Sequence, residues 1–166
     1  MAETKIDSNG VTFPDATVQA TAAKTTTKEL FAPAVGTDSL IQPQGPLVNG
    51  VAEKGMMRML IPQDFTSISA IEVIFSANET AASMHFDITT YYGSKDGGEN
   101  WNAHSETEAA RDIGATVANQ NLAHSIADLV DAVAPVAGDV LIVNVAYNAT
   151  AIDSNAYVSG LRLKYT

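Results

Sequence analysis

The chain has 166 residues and a mass of 17.4 kDa, and 19 acidic against 9 basic side chains give it a net charge of −10. A surface this acidic is repelled by phosphate backbones, so the composition argues against a nucleic-acid partner. The absence of cysteine excludes disulfides, thiol nucleophiles and cysteine-ligated zinc. No apolar run approaches the ~18 residues of a membrane-spanning helix, so no membrane partner is expected.

Charged residues make up only 17% of the chain, below the ~25% that is usual in soluble domains. Such a composition suits a protein that covers part of its surface in an assembly. The length allows one domain with a substantial core and leaves little room for two.

The first 28 residues are polar, rich in threonine and balanced in charge. Their few apolar residues, Val11, Phe13 and Val18, lie on either side of Pro14-Asp15. Proline presets φ and aspartate bonds its own backbone, so this pair predicts a turn between two extended pieces. The segment has too few apolar residues for a core. It is either a disordered tail or an arm that orders against a neighbouring subunit.

Residues 29–54 hold apolar stretches that are interrupted by three prolines and three glycines: Pro33, Gly36, Pro43, Gly45, Pro46 and Gly50. Proline is tolerated at sheet edges but not inside a ladder, so Glu29–Ala34 and Ser39–Val51 are expected as extended, edge-like chain. The sequence therefore predicts a division into an extended arm and connecting segment, 1–54, and a β-sandwich domain, 55–166.

From Gly55 the pattern becomes a series of short strands. We expect strands at Met56–Ile61, Ile68–Phe75, Met84–Tyr92, Asp139–Asn148 and Tyr157–Tyr165. Apolar residues on both faces of the second of these predict a strand that is covered on both sides. In the last, the alternation is interpreted as placing the following residues toward the core: Tyr157, Ser159, Leu161, Leu163 and Tyr165.

Between Asn102 and Gly138 the strand pattern weakens, although Asp112–Val117 fits a strand. Apolar residues then recur at helical spacing from Ile126 to Val133, which predicts a short helix that ends at Pro135. Many short strands, at most one short helix and no βαβ rhythm predict an all-β fold. The expected architecture is an antiparallel, jelly-roll-like β-sandwich with an extended N-terminal arm.

Three histidines, His85, His104 and His124, are the only side chains that titrate near neutral pH. No Gly-x-Ser-x-Gly elbow is present to aim a serine, and no two histidines have the spacing of metal ligands. They are interpreted as surface or hydrogen-bonding residues. The sequence predicts no catalytic residue, no metal ligand and no cofactor.

Acidic residues cluster between Lys95 and Asp139, a stretch that contains eight acidic and only two basic residues. Paired carboxylates such as Asp96, Glu106 and Asp112 are what a glycosidase needs, and oxygen ligands are what calcium needs. The spacing matches no EF-hand loop. A solvated acidic face is the favoured interpretation, and calcium binding stays open.

The segment Ser94-Lys-Asp96-Gly-Gly98-Glu-Asn100-Trp101 resembles the Asp-box, Ser-x-Asp-x-Gly-x-Thr-Trp, with asparagine in place of threonine. The resemblance implies a tight hairpin turn, in which Asp96 accepts backbone N–H groups, Gly98 takes a positive φ and Trp101 packs beneath. Trp101 fits a sugar-stacking platform equally well. The tyrosines that could join it are Tyr91, Tyr92 and Tyr147.

The stretch Gly10–Ala23 resembles one common in tailed-phage fibre and tail proteins, Ile-Thr-Phe-x-Asp-Gly-Thr-x-Gln-Thr-Thr-Ala. Matching residues are Phe13, Asp15, Thr17, Gln19, Thr21 and Ala22, while Ala16 replaces the usual glycine. The body, 55–166, resembles a domain of phage virion proteins. The segments that carry this resemblance are Ile61–Phe65, Trp101–Ser105, Ala137–Asp139 and Gly160–Tyr165.

These resemblances imply a non-enzymatic component of a tailed-phage virion with a jelly-roll-like sandwich that assembles as a homotrimer. Its implied place is a head decoration, a head fibre, or a tail or baseplate part. The expected partners are other copies of itself and the major capsid protein or a tail or baseplate protein. The arm is the expected anchor, through Val11, Phe13, Pro14, Asp15 and Val18. The alternative is a carbohydrate-binding module of a fibre that recognises a host surface glycan.

Overall fold

The structure is a computed structural model that describes residues 26–36, 44–50, 53–93, 99–130, 134–148 and 155–166 in full. For residues 5–7, 10–12, 18–19 and 41–42 it describes the course of the backbone.

The described chain is built almost wholly of strands, because β-branched and aromatic residues alternate with polar ones along it. The strands are β1 Lys5–Asp7, β2 Gly10–Thr12, β3 Val18–Gln19, β4 Lys28–Pro33, β5 Val35–Gly36, β6 Ile41–Gln42, β7 Gly45–Val48, β8 Lys54–Leu60, β9 Ile68–Ala77, β10 His85–Gly93, β11 His104–Asp112, β12 Asn121–Ser125, β13 Val140–Tyr147 and β14 Ala156–Tyr165. A 3₁₀ turn spans Ala127–Leu129.

Two antiparallel sheets form a sandwich. One has five strands in the order β11-β10-β13-β8-β5, and the other has the order β12-β9-β14-β7-β6 with β4 also paired to β14. From β7 onward the chain crosses to the opposite sheet at every connection except the β10–β11 hairpin. This alternation is the connectivity of a jelly roll, so the predicted all-β, jelly-roll-like sandwich is confirmed.

The core lies between the two sheets and follows from the period-two alternation of side chains. In β8, Met57 and Met59 point inward and are buried, while their neighbours point to solvent. Phe75 of β9 and Phe86 of β10 stack across the sandwich with ring centroids 5.2 Å apart. Burying a side chain of this size stabilises the fold by about 1.5–3 kcal/mol.

Strand β14 contains a β-bulge that changes which residues face the core. Its pairing with β9 shifts between Val158 and Gly160. Before the bulge Ala156 and Val158 are buried, and after it Leu161, Leu163 and Tyr165 are buried. The prediction that Tyr157 and Ser159 point inward was therefore wrong, because the extra residue reverses the alternation.

The sandwich begins earlier than residue 55. The edge strand β4 pairs with β14, and the adjoining β5 pairs with β8, so residues 28–36 pass from one sheet to the other. Ala32 and Val48 belong to the core. Glu29–Ala34 is edge-like chain as predicted, and strands β4 and β7 extend the sheet that contains β14.

Three local predictions differ from the structure. The helix expected from Ile126 is only a 3₁₀ turn. The strand expected at Asp112–Val117 was wrong: β11 ends at Asp112, Gly114 takes a φ of +94°, and only Thr116 forms an isolated bridge, to Ala81. Strand β9 is fully covered on one face only, because Ile71, Val73 and Phe75 are buried while Ile68, Ala70 and Ile74 on the other face are half-buried.

The N-terminal segment contains a small three-stranded antiparallel sheet in the order β1-β2-β3. Val11 pairs with Gln19 and Thr12 with Val18, so β2 and β3 are antiparallel. Phe13, Pro14 and Asp15 lie outside the described residues, as do the side chains of Val11 and Val18.

Gly160 is predicted to be required at the bulge. An added Cβ would lie 2.5 Å from the carbonyl oxygen of Ala32 and against the Phe31 ring. Gly160→Ala is therefore expected to lower the free energy of unfolding by about 1–3 kcal/mol through overpacking. Gly50→Ala is the matched control, since its nearest atom would be in Glu53 at 3.5 Å. Urea denaturation measures both, and equal stabilities of the two variants would contradict this account.

Candidate functional site

The β10–β11 hairpin places one large aromatic residue on the surface. Trp101 is 51% exposed, and its ring lies 5.5 Å from that of Tyr91 at an angle of 58°. The strands on either side of the loop, β10 and β11, pair with each other. Ser94, Asp96 and Gly98 lie outside the described residues.

Of the tyrosines considered as sugar platforms, only Tyr91 lies beside Trp101. Tyr92 is 1% exposed and stacks on the His104 ring at 5.1 Å, so its assignment to a platform was wrong. Tyr147 is partly buried and packs against the core. Consecutive residues on a strand face opposite sides, which is why Tyr91 and Tyr92 differ so sharply.

The outer surface of the five-stranded sheet carries a continuous set of outward-pointing side chains, which we call the open face. Its rows follow from the register, in which each residue lies opposite the next across neighbouring strands. They are Leu60-Val140; Arg58-Ile142-Tyr91-Ser105; and Val35-Met56-Asn144-Thr89-Thr107, with Trp101 beside Tyr91.

The open face contains one charged residue, Arg58, in a chain of net charge −10. The next row along the strands carries Lys54 and Asp87, which bound the face. Asp87 accepts hydrogen bonds from the Asn148 side chain and from the backbone N–H of Ala110, at 2.8 Å for the latter. Among the described residues, Lys54 and Arg58 form no ion pair.

The sequence analysis did not identify Val35, Met56, Arg58 and Leu60 as members of a functional surface. A usable signal was present, because β8 has large apolar residues on both of its faces. A strand that faces solvent on one side normally alternates apolar with polar residues. Only the pairing of β5 with β8 brings Val35 to this surface.

Ser83, His85 and Asp112 meet at one corner of the sheet, which the sequence did not predict. The Ser83 hydroxyl donates to the Asp112 carboxylate at 2.7 Å and lies 3.4 Å from Nε2 of His85. In a nucleophilic triad the imidazole stands between hydroxyl and carboxylate. Here the hydroxyl is in the middle, so the arrangement holds the Asp112–Gly114 turn, whose Gly114 N–H also bonds Asp112 at 2.7 Å.

Arg111 connects the edges of the two sheets. From β11 its guanidinium donates to the Asp128 carboxylate at 2.7 and 2.9 Å, to the Ser125 carbonyl at 2.9 Å and to Glu108. Its Nε donates to Nε2 of His124 on β12 at 2.7 Å. These charge-assisted bonds close the sandwich where β11 and β12 are both edge strands.

The acidic residues of the described part are dispersed around the β11 side. Glu99 lies 3.5 Å from His104, while Glu108 and Asp128 are held by Arg111. Among the described residues, no group of three or more potential metal ligands comes together. Asp139 is buried, and its Oδ2 accepts the Val136 N–H at 2.8 Å to close the loop before β13.

A cavity of about 400 Å³ opens at one end of the sandwich and is lined mainly by apolar side chains. Phe65 and Ile68 form one wall, and Val130 and the segment 134–137 form the other.

No helix in the described part of the chain is long and apolar enough to cross a membrane.

Comparison of the chain with models of known protein families, with characterised proteins and with solved structures finds no match.

The Arg111 cluster predicts how stability depends on pH. Burial and the Arg111 charge hold the pKa of His124 below its ordinary value. The unfolded chain therefore takes up a proton on this ring first, and stability falls as pH drops below about 6.5.

Hydrogen bonds from Arg111 to Asp128 and from Ser83 to Asp112 lower the pKa of each carboxyl. Their contributions are present above about pH 4 and are lost as pH falls through the folded pKa values.

His124→Gln isolates the histidine contribution, since glutamine keeps an acceptor for Arg111 but does not titrate. We expect urea unfolding to show a smaller loss of stability between pH 7.5 and pH 5 in this variant than in the wild type. His85 and His104 are present in both proteins, so the comparison isolates the substituted residue. An equal loss in both proteins would show that protonation of His124 is not coupled to folding.

Proposed function

We propose that this chain is a non-enzymatic structural component of a tailed-bacteriophage particle, a capsid decoration or head-fibre protein or a tail-associated protein. It assembles as a homotrimer and is anchored to a capsid protein or a tail or baseplate protein through its N-terminal arm. The observation that carries the proposal is the open face, an extended apolar surface of a kind suited to contact with protein. The sequence resemblances supply the kind of particle.

The small sheet of the arm supports a role in anchoring. Its strands contain three, three and two residues, against the ten-residue strands of the sandwich. Sheets this small need a packed apolar face or a partner for stability. A segment of this kind gains order and buried area when it binds, which makes it a suitable attachment for a folded sandwich.

The functional proposal is tested on purified particles of the phage that encodes this chain. Mass spectrometry should find the chain at a constant copy number per particle. Removal of residues 1–25, which leaves β4 intact, should reduce particle association at least about tenfold, while circular dichroism of the sandwich is unchanged. Absence of the chain from particles contradicts the virion role, and full association of the truncated chain contradicts the anchoring role.

The second candidate function is glycan recognition by a phage fibre, which the exposed Trp101–Tyr91 pair favours. Aromatic rings bind sugars through their apolar faces, and the polar Ser105 lies opposite Tyr91. The intact protein should then bind a subset of glycans on an array, and Trp101→Ala should abolish binding. Val117→Ala, another exposed apolar position, is the control. No binding by the intact protein contradicts this candidate.

A further inference from the structure

The exposed apolar residues of the described chain are unevenly distributed. Four large ones belong to the open face: Val35, Met56, Leu60 and Trp101, which are 57%, 39%, 61% and 51% exposed. Single exposed apolar residues are common on proteins, whereas contiguous ones indicate a surface that something covers. The question is therefore what covers this face.

Register makes the apolar surface continuous across the strands. Val35 lies beside Met56, and Leu60 lies beside Val140. The central row runs from Arg58 through Ile142 to Tyr91. Arginine, tyrosine and tryptophan are the residue types enriched at the energetically dominant positions of protein interfaces.

Charge favours a second copy of this chain as the occupant. Two copies that each carry a charge of −10 repel one another, and an interface between them must keep carboxylates away from the contact. The open face meets this condition because its one charge is the cation Arg58. On the opposite edge strand of the same sheet, β11, the residues that share this face are the uncharged Ser105 and Thr107. The open face therefore offers a second copy a contact surface without carboxylates.

The size of the face is in the range of a specific contact. Its widest row spans five strands at ~4.8 Å spacing, and its rows span five residues at ~3.4 Å, so it covers at most about 24 by 17 Å, or roughly 400 Å² in projection. A contact of this size covers about 800 Å² in projection over two copies, and side-chain relief and Trp101 add accessible area, which approaches the ~1,000 Å² expected of a specific interface. A largely apolar contact of this kind is typical of permanent homo-oligomers.

We propose that the open face is the surface through which copies of this chain associate, with Val35, Met56 and Leu60 as the exposed apolar cluster on its β5–β8 side. The proposal rests on the homo-oligomer of the proposed function and assigns it to one surface. Burial of this cluster provides the association energy, and Arg58 orients the neighbouring copy.

Charge-introducing variants test the proposal by light scattering with size-exclusion chromatography on the full chain. The wild type should elute as an oligomer, at about three times 17.4 kDa for the trimer. Leu60→Glu and Met56→Glu each place a carboxylate on every copy and should weaken association about tenfold or more. Val117→Glu is the matched control, because Val117 is 50% exposed and lies in the loop after β11, outside the rows that form the open face. It should keep the oligomer.

Methionine oxidation provides a second measurement that needs no variant. Met56 is 39% exposed in the protomer, whereas the adjacent Met57 is fully buried in the core. Pulsed oxidation should modify Met56 several-fold more slowly in the concentrated oligomer than after dilution to monomer, while Met57 stays slow in both. Equal Met56 rates at both concentrations, a monomeric wild type, or oligomers that survive both glutamate substitutions would overturn the proposal.

These outcomes are separate from those of the functional proposal. If the chain is found on particles but self-associates through another surface, the virion role stands and the open face is excluded. If the open face drives association but the chain is absent from particles, the surface assignment stands and the virion role fails.

Discussion

The β-bulge in β14, which reverses the alternation of inward and outward side chains, is the constraint on which the sandwich depends. This strand pairs with β9 along its length, and on its other edge it pairs with β7 and β4. Without the bulge at Ser159–Gly160, the alternation that buries Val158 would turn Arg162 and Lys164 into the core and expose Leu161 and Leu163. Burying two unpaired charges costs far more than the bulge itself. The bulge instead leaves Arg162 outside, bonded to Glu72 at 2.7 Å.

The same strand explains why the sandwich reaches back to residue 28. Gly160 has no side chain, so the backbone of β4 can approach it closely and complete the six-stranded sheet. The chain then crosses to β8 through β5 and covers one side of the sandwich. On the opposite side, where β11 and β12 end the sheets, Arg111 links them through Asp128 and His124. Backbone hydrogen bonds between strands therefore close one side of the sandwich, and the charged contacts of Arg111 close the other. The stability of the second side depends more strongly on pH.

The surfaces left by this architecture differ in character. The outer face of the six-stranded sheet carries paired charges, including Glu72 with Arg162 and Glu29 with Lys164. The open face of the five-stranded sheet carries apolar side chains and the single cation Arg58. The acidic residues near β11 lie at its edge. A strongly acidic protein that has such a face is suited to repel most neighbours and to associate through one surface.

The sequence alone determined the fold class, because period-two alternation and the absence of long helical patterns leave few alternatives for strands with one buried face. It also placed strands β8, β9, β10, β13 and β14, since alternation is a property of each strand by itself. In β14 the apolar residues shift from even positions, Ala156 and Val158, to odd positions, Leu161 and Leu163. This shift marks the bulge, but the strand was interpreted as one continuous alternation.

Only the tertiary structure decided the rest. Which of Tyr91 and Tyr92 faces solvent depends on which side of β10 the second sheet covers. The meeting of Arg111 with His124 and Asp128, and that of Val35 with Met56, join residues that are distant in the chain through strand pairing. Periodicity specifies that a strand has two faces, but sheet order and register decide which residues share each face and which face stays open.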